Sequence, residues 1–522
     1  MTLPRVTYSN INADFSGVHA HFDTVLADVR KNTLGRDRPH LIGGEMVSGG
    51  AAAQALSPID TRQTICGYGI ADAALVDRAV QAARKAAPGW AALTWQDRVA
   101  AVRRFADVLD ARKFDYAAAC LFEVGKSRME AIGEAEEAVD LARYYCDQME
   151  ENKGFIRPMQ RAFDNEETLD RLRPLGVFAV IAPFNFPLAL SVNMASAAMV
   201  AGNAVVYKPS DAAALTGALI ADAAQEAGLP AGVFNMITGD GSTGRTLAEH
   251  PGLDGIAFTG SHKVGMGILR NVAAGRFNRP VIAEMGGKNP TYVTKSANLD
   301  TAAQGMMRSA FGLQGQKCSA GSKVYVAAEI FDAFMENLIT RTRAIKIGDP
   351  AQADVFMGPV INAAAVARFE AAVADAKRDG TIAHGGNRLT GGLYDHGTYV
   401  EPTIVTDLPA THHLHKDELF LPLLTVQKFT RLEDAITDGN AIDFGLTAGI
   451  YTTDEADMDL FLDRAEAGAL YANRASGATT GAWPGIQTFC GWKGSGVSSK
   501  GGLGPYYVQQ FMREQSLTLW KA

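Results

Sequence analysis

The chain has 522 residues, 47% hydrophobic and 20% charged, with a formal net charge of −8 and a pI of about 5.7. That length exceeds what one core normally holds, so two or three domains are expected, in a composition typical of soluble globular proteins. The acidic balance opposes a nucleic acid as partner, and five cysteines (Cys66, Cys120, Cys146, Cys318, Cys490) with no CxxC pair suit a reducing, cytoplasmic setting rather than a stapled secreted one.

In chain order, the first ten residues lack the apolar core of a secretory signal, and the N-terminal third reads as helical. Thr94-Trp95-Gln96-Asp97 resembles a capping box, and Val99, Val102, Phe105, Ala106 and Leu109 follow at helical spacing. A second helix puts Ala135, Ala138, Val139, Ala142 and Tyr145 on one face and charged residues on the other, so both helices are expected to pack on a sheet. Residues 175–207 carry no Asp, Glu, Lys or Arg, which is long enough to cross a bilayer. Pro183 and Pro187 interrupt that stretch and Asn185, Asn193 and Asn203 would need partners in hydrocarbon, so a buried strand, loop and helix are expected instead, and no membrane span.

From residue 177 the pattern changes to short apolar runs at 177–181, 204–207, 233–237, 256–259 and 281–285, separated by helical stretches. This alternation predicts βαβ units and a parallel sheet. Past Asn289 it resumes, with helices over 302–313 and 330–346, which implies a second α/β domain. The polar stretch 164–173 and the closing 515–520 read as strands of a small projecting sheet, and Trp520-Lys521-Ala522 carries no lipidation signal.

Three segments carry chemistry. Cys318 lies in Gly315-Gln316-Lys317-Cys318-Ser319-Ala320, where polar neighbours and the Lys317 cation suit a thiolate nucleophile, although a lone cysteine is more often a small buried hydrophobe. Asn185, in Pro183-Phe184-Asn185-Phe186-Pro187, offers an amide donor for a developing oxyanion, or else caps a loop. Glu284 closes the run Val281-Ile282-Ala283 before Gly286-Gly287, so a strand end would deliver a general base into a cleft. Gly239-Asp240-Gly241-Ser242-Thr243-Gly244 follows a strand and opens a helix, the setting of a dinucleotide-phosphate turn involving Gly241 and Gly244. His412, His413 and His415 cluster without an acidic or cysteine partner at metal-ligand spacing, so no metal is expected.

In this order the three segments resemble the NAD(P)-dependent aldehyde dehydrogenase superfamily, over most of the chain from about Leu41. The resemblance implies an α/β fold with a Rossmann-type cofactor domain (1–154 and 177–288), an α/β catalytic domain (289–500) and a small oligomerisation sheet (155–176 and 501–522), hence a homodimer or homotetramer. It implies Cys318 as nucleophile, Asn185 in the oxyanion site and Glu284 as the base that hydrolyses a thioester, which disfavours a coenzyme A-acylating relative. It places Lys208, Ser210 and Asp211 on the adenosine ribose, Thr259, Gly260 and Ser261 by the pyrophosphate and nicotinamide, Glu418 on the nicotinamide ribose and Phe420 against the ring. Leu421 stands where the family's Glu-x-Phe-Gly-Pro has glycine. Asp211 would repel a 2′-phosphate, so NAD is the expected cofactor.

Two regions look like the 1-pyrroline-5-carboxylate (glutamate semialdehyde) dehydrogenase branch: residues 315–320 and Gly481-Ala482-Trp483-Pro484-Gly485-Ile486-Gln487-Thr488-Phe489. The resemblance implies a substrate carboxylate held by Gly481 and Ala482 backbone N–H groups and the Ser319 hydroxyl, with Phe489 on the aliphatic chain. Trp483, Pro484, Thr488 and Cys490 depart from that branch. An aromatic or bulky aldehyde is therefore the next expectation, and a non-catalytic binding protein of the same fold the last.

Overall fold

The computed structural model describes residues 3–7, 10, 14–476, 482–498 and 500–521. Val177–Ile181, Ala204–Lys208, Phe234–Met236, Gly255–Thr259 and Val281–Glu284 form the parallel part of a seven-stranded sheet. Val177–Ile181 lies between Ala204–Lys208 and Gly255–Thr259, so the chain winds outward first on one side and then on the other. The crevice beyond the strand ends at that reversal is where ligands settle in open α/β sheets. All five strands are buried, which is why they read as continuous apolar runs rather than alternating ones.

Asn289–Val293, Gly321–Ala327, Thr403–Thr406, Leu423–Phe429, Thr447–Tyr451 and Ala469–Ala472 build a second parallel sheet, with Thr381–His384 added antiparallel at one edge. Met512–Trp520 pairs antiparallel with Glu166–Pro174 in register from Met512 opposite Pro174 to Trp520 opposite Glu166, and Ile156–Pro158 completes the small sheet. The edge strand Val281–Glu284 is not left open. Met285 N–H donates to Ser495 at 2.9 Å, Val497 N–H donates to Ala283 at 3.2 Å, and Glu284 bridges Gly496, so a segment from the far end of the chain lies along it.

The N-terminal third departs from the helical expectation. His40–Ile42 and Glu45–Val47 extend the first parallel sheet antiparallel, and Arg36–Arg38, Thr64–Ile70 and Ala51–Leu56 form a sheet of their own. Ala51–Leu56 is alanine-rich, a helix former by propensity, and becomes a strand through its pairing with Thr64–Ile70. Helix Trp95–Ala111 begins as expected, with Thr94 Oγ1 accepting from Asp97 N–H at 3.1 Å.

Helix Arg128–Glu151 packs on the helices Trp95–Ala111, Lys113–Val124 and Ala189–Ala201 rather than directly on a sheet. The charged residues of its first half are buried as well. Glu130 pairs with Lys317 at 2.7 Å, Glu134 with Lys126 at 2.6 Å, and Glu136 with Lys113 at 2.9 Å and Arg5 at 3.0 Å. The amphipathic pattern set these acids opposite the apolar face, and buried there they survive by pairing.

The uncharged stretch 175–207 resolves into strand, loop, helix and strand. Asn203 accepts from Leu175 and Gly176 N–H groups and donates to Ala198 and Phe511 carbonyls. Among the described residues, no helix is long and apolar enough to cross a membrane.

Candidate active site

Cys318 stands between helix Leu299–Phe311 and strand Gly321–Ala327, where the predicted helix 302–313 stops short. Leu313, Gln314 and Gly315 take φ of 47°, 56° and 67°, left-handed values that turn the chain sharply before the thiol. A Cβ at Gly315 would lie 2.3 Å from the Leu421 carbonyl oxygen, so only glycine allows that approach. The turn is held from several sides. Asn185 Nδ2 donates to the Gln316 carbonyl at 3.0 Å, Gln316 Oε1 accepts from Ile361 N–H at 2.9 Å, and Asn289 Nδ2 donates to the Cys318 carbonyl at 2.8 Å.

The electrostatics at the sulfur differ from the sequence expectation. The Lys317 ammonium is turned onto Glu130. Burial, then the Glu418 and Glu284 carboxylates, push the Cys318 thiol up to about 12, against hydrogen bonds from the Ser319 hydroxyl and backbone N–H. Cys318 therefore rests as a thiol, not as the thiolate that a neighbouring cation would favour. Ser319, whose hydroxyl the resemblance places on a substrate carboxylate, is buried next to Cys318 in the chain.

A cleft of about 540 Å³ opens beside the thiol at the sheet's reversal point. It brings together Asn185, Ser210, Thr259, Gly260, Ser261, Cys318, Glu418 and Phe420 of the residues singled out by sequence. Arg368, Met285, Val264 and Leu190 also line it, without any motif to announce them. Its floor is cleared by glycine: a Cβ at Gly286 would lie 1.8 Å from a Glu418 carboxylate oxygen, and one at Gly260 would lie 2.5 Å from the Phe258 ring. Glu418 accepts from Gly287 N–H at 2.9 Å, and burial raises its carboxyl to about 7 against that hydrogen bond and Lys288. Phe420, at φ 59°, sets its ring edge-on to Phe184 with centroids 5.8 Å apart. Leu421 is buried behind it.

Glu284 lies behind the cleft at its strand end, accepting from Gly502 N–H at 2.7 Å. Burial raises its carboxyl to about 7, offset in part by that hydrogen bond. Lys208 is buried at the end of Ala204–Lys208, donates to the Pro209 carbonyl at 2.9 Å and is lowered to about 8 by burial, against the Asp211 and Asp240 charges. Ser210 Oγ accepts from Ala212 N–H, which leaves Asp211 exposed at the start of a short 3-10 turn.

The turn before helix Gly241–Glu249 is capped by a side chain. Asp240 caps it, accepting from Ser242 and Thr243 N–H groups at 2.8 and 3.4 Å. These two N–H groups, which the motif would offer to a phosphate, are bonded to the Asp240 carboxylate. Gly244 gives room beside Lys208, whose Cδ would be 3.5 Å from a Cβ there. Helix His262–Ala273, whose first residues follow Ser261 at the cleft, has no acidic residue in its first turn.

Gly481 lies outside the described residues. Ala482 is buried, and Phe489 packs on the same core while its N–H donates to the Gly502 carbonyl at 3.0 Å. Trp483 Nε1 donates to Asp140 Oδ2 at 2.8 Å, which turns the indole toward helix Arg128–Glu151. Cys490 Sγ donates to the Gly468 carbonyl at 3.3 Å. The imidazoles of His412 and His413 bond to Asp379, Asp375 and Asp417, and His415 to Thr425.

Residues 47–517 match the aldehyde dehydrogenase family. The chain belongs to that family. It is similar to the 1-pyrroline-5-carboxylate dehydrogenase of Bacillus subtilis (strain 168), 34% identical over 92% of this chain and 93% of that protein. It is also similar to the alpha-ketoglutaric semialdehyde dehydrogenase of the same organism, 36% identical over 84% and 90%. The solved 1-pyrroline-5-carboxylate dehydrogenase from Thermus with bound NAD superposes with a TM-score of 0.92 at 29% identity, covering 100% of this chain and 99% of that one. Proline utilization A from Bdellovibrio bacteriovorus superposes equally well at 32% identity, and this chain spans 52% of its length.

Proposed function

We propose that this aldehyde dehydrogenase oxidises an aldehyde to a carboxylic acid with NAD, and that its substrate is glutamate semialdehyde or a similar carboxylate-bearing semialdehyde. The observation that carries the reading is the convergence of Cys318, Asn185 and Glu418 on one cleft, with Glu284 at its back. The two Bacillus relatives, one named for a five-carbon carboxylate and one for a semialdehyde, support the substrate class.

Cys318 Sγ adds to the aldehyde carbon as its proton passes to solvent water, and the carbonyl oxygen becomes an alkoxide. Asn185 spends one amide hydrogen on Gln316 and keeps a second for that oxygen. NAD, when bound, supplies the acceptor for the hydride that leaves this carbon, giving a thioester on Cys318. Glu284, near 7, takes a proton from water as the water oxygen attacks the thioester carbon, and the carbon–sulfur bond breaks to free the acid. The glycine-cleared floor, Glu418 and Phe420 fit a ribose and a flat ring, while Lys208 and Asp211 fit the adenosine ribose.

The test is kcat/KM for glutamate semialdehyde, succinic semialdehyde, hexanal and benzaldehyde with NAD. The semialdehydes are expected to lead, and a preference for either uncharged aldehyde would refute the carboxylate anchor. NAD is expected to be preferred over NADP, because Asp211 and Asp240 both flank Lys208 where a 2′-phosphate would lie. Asp211→Ser should narrow the gap several-fold, and equal efficiency with both cofactors in the unaltered enzyme would contradict the assignment.

The cofactor domain is assigned to 1–154 and 177–288, the catalytic domain to 289–500 and the projecting sheet to 155–176 and 501–522. That sheet supports assembly into a homodimer or homotetramer: Met512–Trp520 is its edge strand, and Phe163, Trp520 and Leu519 are exposed on it. The five cysteines, all free, support a reducing cytoplasmic location.

A further inference from the structure

Glu284 owes its position to a backbone N–H rather than to a charge, and that backbone is held from behind by a buried polar chain. Gly502 N–H donates to Glu284 Oε1 at 2.7 Å, and the next residue, Leu503, donates its N–H to the Tyr145 hydroxyl at 3.1 Å. The Tyr145 hydroxyl donates in turn to Asn193 Oδ1, and Asn193 Nδ2 donates to the Tyr507 hydroxyl at 3.2 Å. The Tyr145 and Tyr507 rings stack with centroids 5.4 Å apart. Tyr145, Asn193 and Tyr507 are 0%, 0% and 1% exposed. They come from helix Arg128–Glu151, helix Ala189–Ala201 and the residue before the turn Val508–Phe511. The fit is close enough that a Cβ at Gly502 would lie 2.9 Å from Asn193 Oδ1.

Polar groups this deep are costly unless fully bonded, and apolar residues would fill the same space without that cost. We propose that Tyr145 is a positioning residue for the deacylating base: with Asn193 and Tyr507 it fixes the 502–503 backbone whose N–H sets the place and proton affinity of Glu284. This rests on the reading of Glu284 as the base.

The sign of the effect follows from the surroundings. The titratable groups acting with Glu284 are the hydroxyls of Tyr145 and Tyr507 and the thiols of Cys318 and Cys490, all raised by burial and so neutral at working pH. Burial raises the Glu284 carboxyl, and the Gly502 N–H opposes it by favouring the carboxylate. Loosening that N–H drives the proton affinity upward. The base then needs a higher pH to work.

The experiment follows decay of the Cys318 acyl-enzyme by quench and intact mass from pH 6 to 9, alongside the NADH formed in the first turnover, using the full chain. Tyr145→Phe should keep first-turnover NADH formation and NAD affinity, while the acid limb of deacylation moves up by about half a pH unit or more. Tyr507→Phe should move it the same way by less, and stands in if Tyr145→Phe does not fold. A Tyr145→Phe profile that superimposes on that of the unaltered enzyme overturns the proposal, as does an equal loss of both phases at every pH. Glu284→Gln separates the two readings. If it stalls as acyl-enzyme while the tyrosine variants behave normally, only the positioning role fails; if it turns over at full rate, the base assignment fails and this inference with it.

Discussion

A half-buried thiol beside two carboxylates is an unpromising nucleophile on its own, and Cys318 shows why residue identity does not fix reactivity. Its thiol is held up to about 12, chiefly by burial, with Glu418 and Glu284 adding to it and Ser319 opposing. The sign is direct: a raised thiol pKa means that the thiolate is scarce at neutral pH and grows as pH rises. Alkylation of Cys318 by iodoacetamide in the absence of cofactor should therefore be slow at pH 7 and increase steadily to pH 9, as measured by peptide mass. A rate already at its plateau at pH 7 would show that the thiolate is stabilised at rest.

At the scale of elements, the turn carrying Cys318 depends on a helix far away in sequence. Glu130, in the first turn of helix Arg128–Glu151, accepts from Leu313 N–H at 3.2 Å and from Lys317 at 2.7 Å, so one carboxylate grips both ends of the left-handed bend. Burial alone would raise the Glu130 carboxyl, but Lys317, and after it Lys126 and Arg308, hold it below its ordinary 4.5. A depressed carboxyl contributes stability that is present above pH 4.5 and is lost as pH falls through its folded value. Glu130→Gln leaves the half-buried Lys317 without its countercharge, which should cost about 2 kcal/mol. The expected readout is a lower Tm at pH 7 together with slower first-turnover NADH formation, and the Tm gap should shrink toward pH 4. A variant with unchanged Tm and unchanged first turnover would show that the bend holds itself.

For the whole molecule, the three-stranded sheet of Met512–Trp520, Glu166–Pro174 and Ile156–Pro158 carries exposed aromatic rings. Phe163 and Trp520 meet at its tip, ring centroids 5.8 Å apart, and are 59% and 61% exposed. Large apolar side chains beside an open strand edge are a surface for another chain. Replacing both (Phe163→Ser with Trp520→Ser) should reduce the mass seen by light scattering toward that of one chain without changing the secondary structure seen by circular dichroism. A particle of unaltered mass would place the contact elsewhere.

The sequence by itself determined the two α/β units, the strand Val177–Ile181 and its neighbours, and the three segments bearing Cys318, Asn185 and Glu284. Buried parallel strands are continuous apolar runs, and each of those segments sits where a strand or turn ends, a signal local in the chain. Only the tertiary structure decided that Ala51–Leu56 is a strand, that Glu130, Glu134 and Glu136 are buried, that Lys317 pairs with Glu130 and that Asp240 caps the turn before Gly241. Each of these depends on a partner distant in sequence or on which way a side chain points. The same holds for Tyr145, Asn193 and Tyr507: helical periodicity places Tyr145 on an apolar face, but it takes the packing of two helices and the C-terminal segment to turn three buried polar groups into one chain behind Glu284.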